Sequence, residues 1–246
     1  MLLVPAGFLI FRGISRHNNF SRGVLALNTN KSSYTPGEKI AIGMSSLDKT
    51  GHTICNSSLK LEITDPQKIT ANINVTHSPT CGDDNVTNDP DYLASFLLDK
   101  AGKYTLKLTN TDTGKVTKTD INVSENIPFD IQRSGATPIN PFKADRYPMI
   151  ITVTANRDYA GQIIEKIPAD FKVIWQGPAK VEGINIIWGV NLKAGETKTL
   201  SYEYRTPQIS PNLYKLGPAR IIDSTRATFF RESRRWQIAV SKEITP

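Results

Sequence analysis

Along most of the chain apolar and polar residues alternate one by one, the period of a strand with one buried face. The 3.6-residue period of an amphipathic helix is nowhere sustained over ten residues. A Pro-Gly turn in Tyr34-Thr35-Pro36-Gly37-Glu38-Lys39 leads into Ile40, Ile42 and Met44. Leu59, Leu61 and Ile63 repeat the pattern and stop at Asp65-Pro66, and Ile69, Ala71, Ile73 and Val75 form a third apolar face. After a polar stretch from His77 to Asp91 the alternation resumes at Tyr92, Ala94, Phe96 and Leu98, then runs through Tyr104, Leu106 and Leu108 and closes over residues 115–123. Seven short strands, with turns every eight to twelve residues, predict an immunoglobulin-like sandwich over residues 24–125.

The second half repeats the pattern. Met149, Ile151 and Val153 form one strand, Phe171, Val173 and Trp175 another, and Ile184 through Leu192 a longer one. The turn Lys193-Ala194-Gly195-Glu196 joins that last strand to Leu200, Tyr202 and Tyr204, which predicts a hairpin. Final strands follow between Phe229 and Val240. The join Ser124-Glu125-Asn126-Ile127-Pro128 is short and polar with a proline stop, so the halves are expected end to end with few core contacts crossing. The expected fold is all-β: two tandem immunoglobulin-like β-sandwich domains, 24–125 and 126–246, behind an arm of residues 1–23. A length of 246 residues suits two such domains, each large enough for its own core.

Tyr34-Thr35-Pro36-Gly37-Glu38, Leu59-Lys60-Leu61-Glu62-Ile63 and Ala101-Gly102-Lys103-Tyr104-Thr105-Leu106 together resemble the bacterial Ig-like and macroglobulin-like domains of exported surface proteins. The stretch from Trp188 to Tyr204 resembles the conserved repeat domains of large bacterial surface proteins. These likenesses imply a fold far more than a role.

Leu2 to Phe11 is an apolar run broken only by Pro5 and Gly7, too short to cross a bilayer and of the size of an export signal's hydrophobic region. Arg12, Arg16 and Arg22 follow it rather than precede it, so residues 1–23 read as an arm or as the truncated end of a signal or anchor. Cys55 and Cys81 are the only cysteines and fall in one small domain, which predicts a disulfide; free buried thiols are the alternative. Both lie beside loop-forming residues. An extracellular or cell-surface location, the periplasm included, is the expectation, with any membrane anchor lying outside this chain.

Charge is uneven. Residues 1–125 carry 13 Lys/Arg against 12 Asp/Glu and residues 126–246 carry 17 against 11, so the second half holds most of the net +7. Arg220, Arg226, Arg231, Arg234 and Arg235 gather near the end, a candidate surface for polyanions; the competing reading is a solvated face with structural ion pairs helped by Asp223 and Glu232. No nucleic-acid-binding motif accompanies the patch, and no nucleic-acid partner is expected. Trp188 and Trp236 are in phase with core neighbours, whereas Trp175, beside Gln176-Gly177-Pro178, is the candidate for an exposed contact.

Asp83, Asp84, Asp89 and Asp91 give the long polar loop the hard oxygen ligands calcium prefers, although the spacing is not that of an EF-hand and Asp and Asn are also good turn formers. Catalytic motifs are absent: the three histidines lack metal-ligand spacing, and neither a phosphate-cradling glycine loop nor a nucleophile elbow occurs. The expectation is a non-enzymatic exported spacer or interaction module with no cofactor except this calcium, meeting a protein, a cell-surface polymer or copies of itself. The alternative is a carbohydrate-binding or accessory module of a secreted enzyme.

Overall fold

The computed structural model describes residues 20–82, 89–144, 146–223 and 227–242. Every regular element among them is a strand, and the strands form β-sandwiches. In the first half β1 (Val24–Thr29) pairs with β3 (Glu38–Leu47), β3 with β7 (Tyr92–Leu98), and β7 with β6 (Thr76–His77). The facing sheet runs β2 (Ser33–Tyr34), β9 (Lys115–Val123), β8 (Gly102–Asn110), β4 (Leu59–Thr64) and β5 (Thr70–Ile73). All of these pairs are antiparallel except β2 with β9. Alternation places Leu25, Leu27, Ile40, Ile42 and Met44 on the inner face of one sheet, against Leu61, Ile63, Leu106, Leu108 and Ile121 of the other.

One expected core residue is outside. Ile69 is 61% exposed, because its backbone closes the turn after β4: its N–H donates to Asp65 Oδ1 at 2.8 Å and its carbonyl accepts from the Asp65 N–H at 2.9 Å. Ile73 and Val75 do pack on the core, while the chain leaves β5 and crosses to β6 in the opposite sheet.

The second half is built on β10 (Phe129–Gly135), β12 (Tyr147–Ala155), β17 (Thr197–Arg205) and β14 (Lys172–Trp175), in that order. A second sheet runs β15 (Lys180–Glu182), β16 (Asn185–Leu192), β13 (Tyr159–Lys166), β19 (Arg220–Ile222) and β20 (Thr228–Arg231). A third joins β11 (Pro138–Ile139), β21 (Trp236–Val240) and β18 (Asn212–Leu216). The expected hairpin of residues 184–204 does not form. β16 pairs with β13 and β15, and β17 with β12 and β14, so the turn at Lys193–Glu196 is an arch between sheets. That turn is held to β12 instead: Gly195 N–H donates to Ala155 O at 2.7 Å and Ala155 N–H to Glu196 O at 3.0 Å. Alternation fixes which face of a strand is buried but not which strand lies beside it.

The last strands make one interrupted hairpin. β18 pairs with β21 from Asn212↔Val240 to Leu216↔Trp236, and β19 with β20 from Arg220↔Arg231 outward. Residues 217–219 face residues 232–235 across the gap, one more residue on the second side, and Glu232 and Arg234 point inward there, in phase with Phe230, Trp236 and Ile238.

Candidate functional site

Strand β1 is buried on both faces. Leu25 and Leu27 serve the first core, while Val24 and Ala26, with Leu47, form a separate apolar cluster with Ala239 of β21, flanked by Phe20 and Leu213. A short way along, Asn28 Nδ2 donates to Gln237 O at 2.8 Å and to Thr137 Oγ1 at 3.1 Å, and Gln237 N–H returns a bond to Asn28 Oδ1 at 2.8 Å. Lys31 Nζ reaches Asp130 at 2.6 Å and Glu38 at 2.8 Å, and Arg133 N–H donates to Asn30 O at 2.8 Å. The expectation of few contacts across the join is therefore corrected: the halves meet along a strand, over both apolar and polar contacts.

Next to this junction, within the second half, lies a group of four buried charges. Arg133 enters from β10, on the face that carries Phe129 and Ile131, and its guanidinium forks onto Glu165 of β13 at 2.8 and 2.7 Å. Its Nε donates to Glu232 at 2.9 and 3.0 Å. Tyr202 donates to Glu165 at 3.2 Å and the Ala219 N–H to Glu232 at 2.8 Å. Arg234 stands 3.8 Å from Glu232 and extends into the first half, where its Nε donates to Thr29 Oγ1 at 2.9 Å and Lys31 O at 3.2 Å. The side chains of all four charged residues are fully buried. Burial acts to raise the Glu232 carboxyl, but Arg133 and Arg234 outweigh it and hold Glu232 below the usual range. The cluster is neutral in sum and bonded on most sides, the condition under which buried charge is tolerated.

The residues anticipated from sequence fall in different places. Cys55 and Cys81 form a disulfide with Cα atoms 5.8 Å apart. Asp83, Asp84 and Arg226 lie outside the described residues. Asp89 lines a groove of about 640 Å³ between the halves. Asp91 is only 1% exposed and lies beside Ser45 and Ser46 of β3. Burial pushes its carboxyl up to about 7, with Ser45 and the Ser46 backbone offsetting part of the effect. Trp175 is 49% exposed, at the edge of its sheet on β14, while Trp188 and Trp236 are buried.

The arginines divide. Arg231 and Arg235 are exposed and Arg220 is half-buried, but Arg234 belongs to the buried cluster, so the expected basic surface lacks it. Arg231 and Arg235 share a cleft of about 390 Å³, and Arg235 shares another of about 280 Å³ with Lys118 and Lys215. Trp175 lines neither. Arg133 and Glu165 were not anticipated. Their signal was phase, since each continues an apolar alternation, Phe129-Ile131-Arg133 and Ile163-Glu165, where a charge must be paired.

No family model matches the chain, and no curated protein does. Among solved structures, a Salmonella alpha-2-macroglobulin reacted with methylamine aligns at 16% identity and TM-score 0.33, covering 90% of this chain and 15% of that one. The trypsin-activated Escherichia coli alpha-2-macroglobulin aligns at 13% and 0.34, covering 92% and 16%. A cohesin module from a Clostridium perfringens family 33 glycoside hydrolase aligns at 13% and 0.34, covering 48% of this chain and 100% of its own. The chain thus spans less than a fifth of the two macroglobulins, and the β-sandwich assignment rests on the strand pairing above.

Proposed function

We propose that the chain is a non-enzymatic, exported interaction and spacer segment whose two Ig-like units, residues 24–125 and 126–246, are held at one fixed angle. The observation that carries this reading is the junction: a strand buried on both faces, with Arg234 of one half bonded into the backbone of the other. A flexible tether needs none of these contacts, whereas a spacer that sets the position of its neighbours needs all of them. The disulfide supports an oxidising compartment, the cell surface or periplasm. A protein or a cell-surface polymer is the partner class, self-assembly included.

The test is the spread of the angle. Spin labels at Lys68 and Lys180, both exposed and one in each half, should report a single narrow distance distribution by pulsed electron resonance. A broad distribution in the intact chain overturns the reading. The half-exposed indole of Trp175 favours a second reading, a carbohydrate-binding module. That reading predicts binding in a soluble-glycan screen, with loss on Trp175→Ala.

A further inference from the structure

Two clefts open side by side at the end of the junction and share Ser233, Arg234 and Arg235. One adds Arg231 from the end of β20; the other adds Lys118 from β9 of the first half and Lys215 from β18 of the second. Arg231, Arg235, Lys118 and Lys215 are all exposed, and no ion pair is formed by any of them among the described residues. The acidic lining is already engaged. Asp120 pairs with Lys103 at 2.8 Å and accepts from Thr105 at 2.8 Å, and Glu232 is held by Arg133. Both clefts are also lined by Arg234, whose buried Nη1 lies 3.8 Å from Glu232, beyond hydrogen-bond distance.

We propose that these clefts form a seat for a linear phosphate-bearing polyanion, with successive phosphates in the two depressions on either side of Arg235. Three features select this ligand. Cations in adjoining clefts match repeated charge rather than one ion. Lys118 comes from one half and Lys215 and Arg235 from the other, so the seat exists only while the junction is closed. Neither cleft is lined by an aromatic side chain, so bases have no stacking platform and the phosphates alone are read. The proposal gives the spacer of the preceding section a partner class and rests on its fixed joint.

The experiment is a titration of the full-length protein with inorganic polyphosphate at about 50 mM salt, with orthophosphate and a thymidine oligonucleotide as parallel arms. Polyphosphate should bind, and affinity should fall steeply as salt rises. Lys215→Ala with Arg235→Ala should weaken it at least about tenfold, and Lys118→Ala alone by about threefold, while Trp175→Ala changes nothing. These side chains are exposed, and an unchanged melting curve shows that the variants fold. Orthophosphate binding as tightly as the polymer overturns the two-cleft seat, and equal affinity for the oligonucleotide overturns the choice of ligand. No binding at low salt, or binding untouched by the double variant, overturns the site. The label distances in the same protein report the joint separately, so a rigid chain that ignores polyphosphate defeats this proposal alone.

Discussion

The two sandwiches arise from the same alternating sequence but treat charge in opposite ways. In the first, the space between the sheets is filled by Leu, Ile, Met, Val and Tyr, and its covalent reinforcement, the disulfide, lies to one side. In the second, an apolar core is interrupted by Arg133, Glu165 and Glu232, with Arg234 leading out to the neighbouring unit. An apolar core is stabilised by area and tolerates repacking, whereas an ionic cluster depends on every partner and fixes geometry. The difference bears on the joint: the cluster leads through Arg234 to Thr29 and Lys31 of the first half, beside the apolar contact of Val24 and Ala26 with Ala239.

Removing Arg133 tests this most severely. Arg133→Met leaves Glu165 and Glu232 buried with the central cation gone, and should cost about 3–5 kcal/mol, read as a lower urea midpoint with an unchanged m-value. Arg133→Met combined with Glu165→Leu should recover part of that loss, because one of the stranded carboxylates goes with it. A loss below about 1 kcal/mol for the single variant would show the cluster to be incidental. Comparable polar-to-apolar changes on the exposed outer faces should stay within about 0.5 kcal/mol.

Asp91 is a buried polar group of the first half, beside Ser45 and Ser46 of β3. Its folded pKa lies near 7, above the ordinary carboxyl value of 3.8, so the folded protein keeps a proton that the unfolded chain releases. Stability from this group is complete below about pH 4 and declines as pH rises to about 7, by up to about 4 kcal/mol. Asp91→Asn keeps the shape without the acid, and the difference between variant and parent should therefore grow in the variant's favour from pH 5 to pH 8. A difference that does not change with pH defeats the assignment. Carboxylates held low by lysine, such as Glu38 beside Lys31, contribute in the opposite direction, which is why the difference curve and not the parent curve is diagnostic.

Sequence made the fold class plain because one-residue alternation is a direct image of a half-buried strand, and nearly every alternating run from Ile40 to Val240 became one. Pairing was less plain. The arch after Leu192 carries the same turn residues and flanking pattern as a hairpin, and only contacts with β12 distinguish the two. The junction was hidden for a different reason. Val24, Ala26 and Ala239 face away from their sheets' cores, and small apolar residues in out-of-phase positions look the same in sequence whether water or a second domain covers them. Arg234 sits among exposed arginines in sequence, yet with Glu232 it continues the inward phase of Phe230, Trp236 and Ile238, so its burial was legible by the same alternation that placed Arg133 and Glu165.

Replacing Cys55 and Cys81 by serine tests the other side of the comparison. The bridge closes a loop with a sequence separation of 26, and its loss should cost about 3 kcal/mol. The effect should be confined to the first sandwich, because both cysteines of the chain lie in it. Hydrogen exchange resolves this: amides of β3 and β7 should lose protection, while those of β12 and β17 keep theirs. Two alkylated thiols in natively exported, non-reduced protein would remove the disulfide from the account.

Calcium is the smallest effect, and it bears on the loop that the disulfide ties down. Of the four aspartates proposed as ligands, Asp91 is buried and Asp89 lines the groove, which leaves Asp83 and Asp84 as the remaining carboxylates of the proposed site. A site that uses fewer than the six to eight oxygens calcium prefers binds weakly. At a calcium concentration equal to the dissociation constant the stabilisation is only about 0.4 kcal/mol, and at ten times that concentration about 1.4 kcal/mol. Adding millimolar calcium to chelated protein should therefore raise the melting temperature by a few degrees at most, with Asp83→Asn and Asp84→Asn together abolishing the rise. No shift, with no heat on titration, assigns these aspartates to turn formation, and leaves the disulfide as the covalent counterpart in the first sandwich of the ionic cluster in the second.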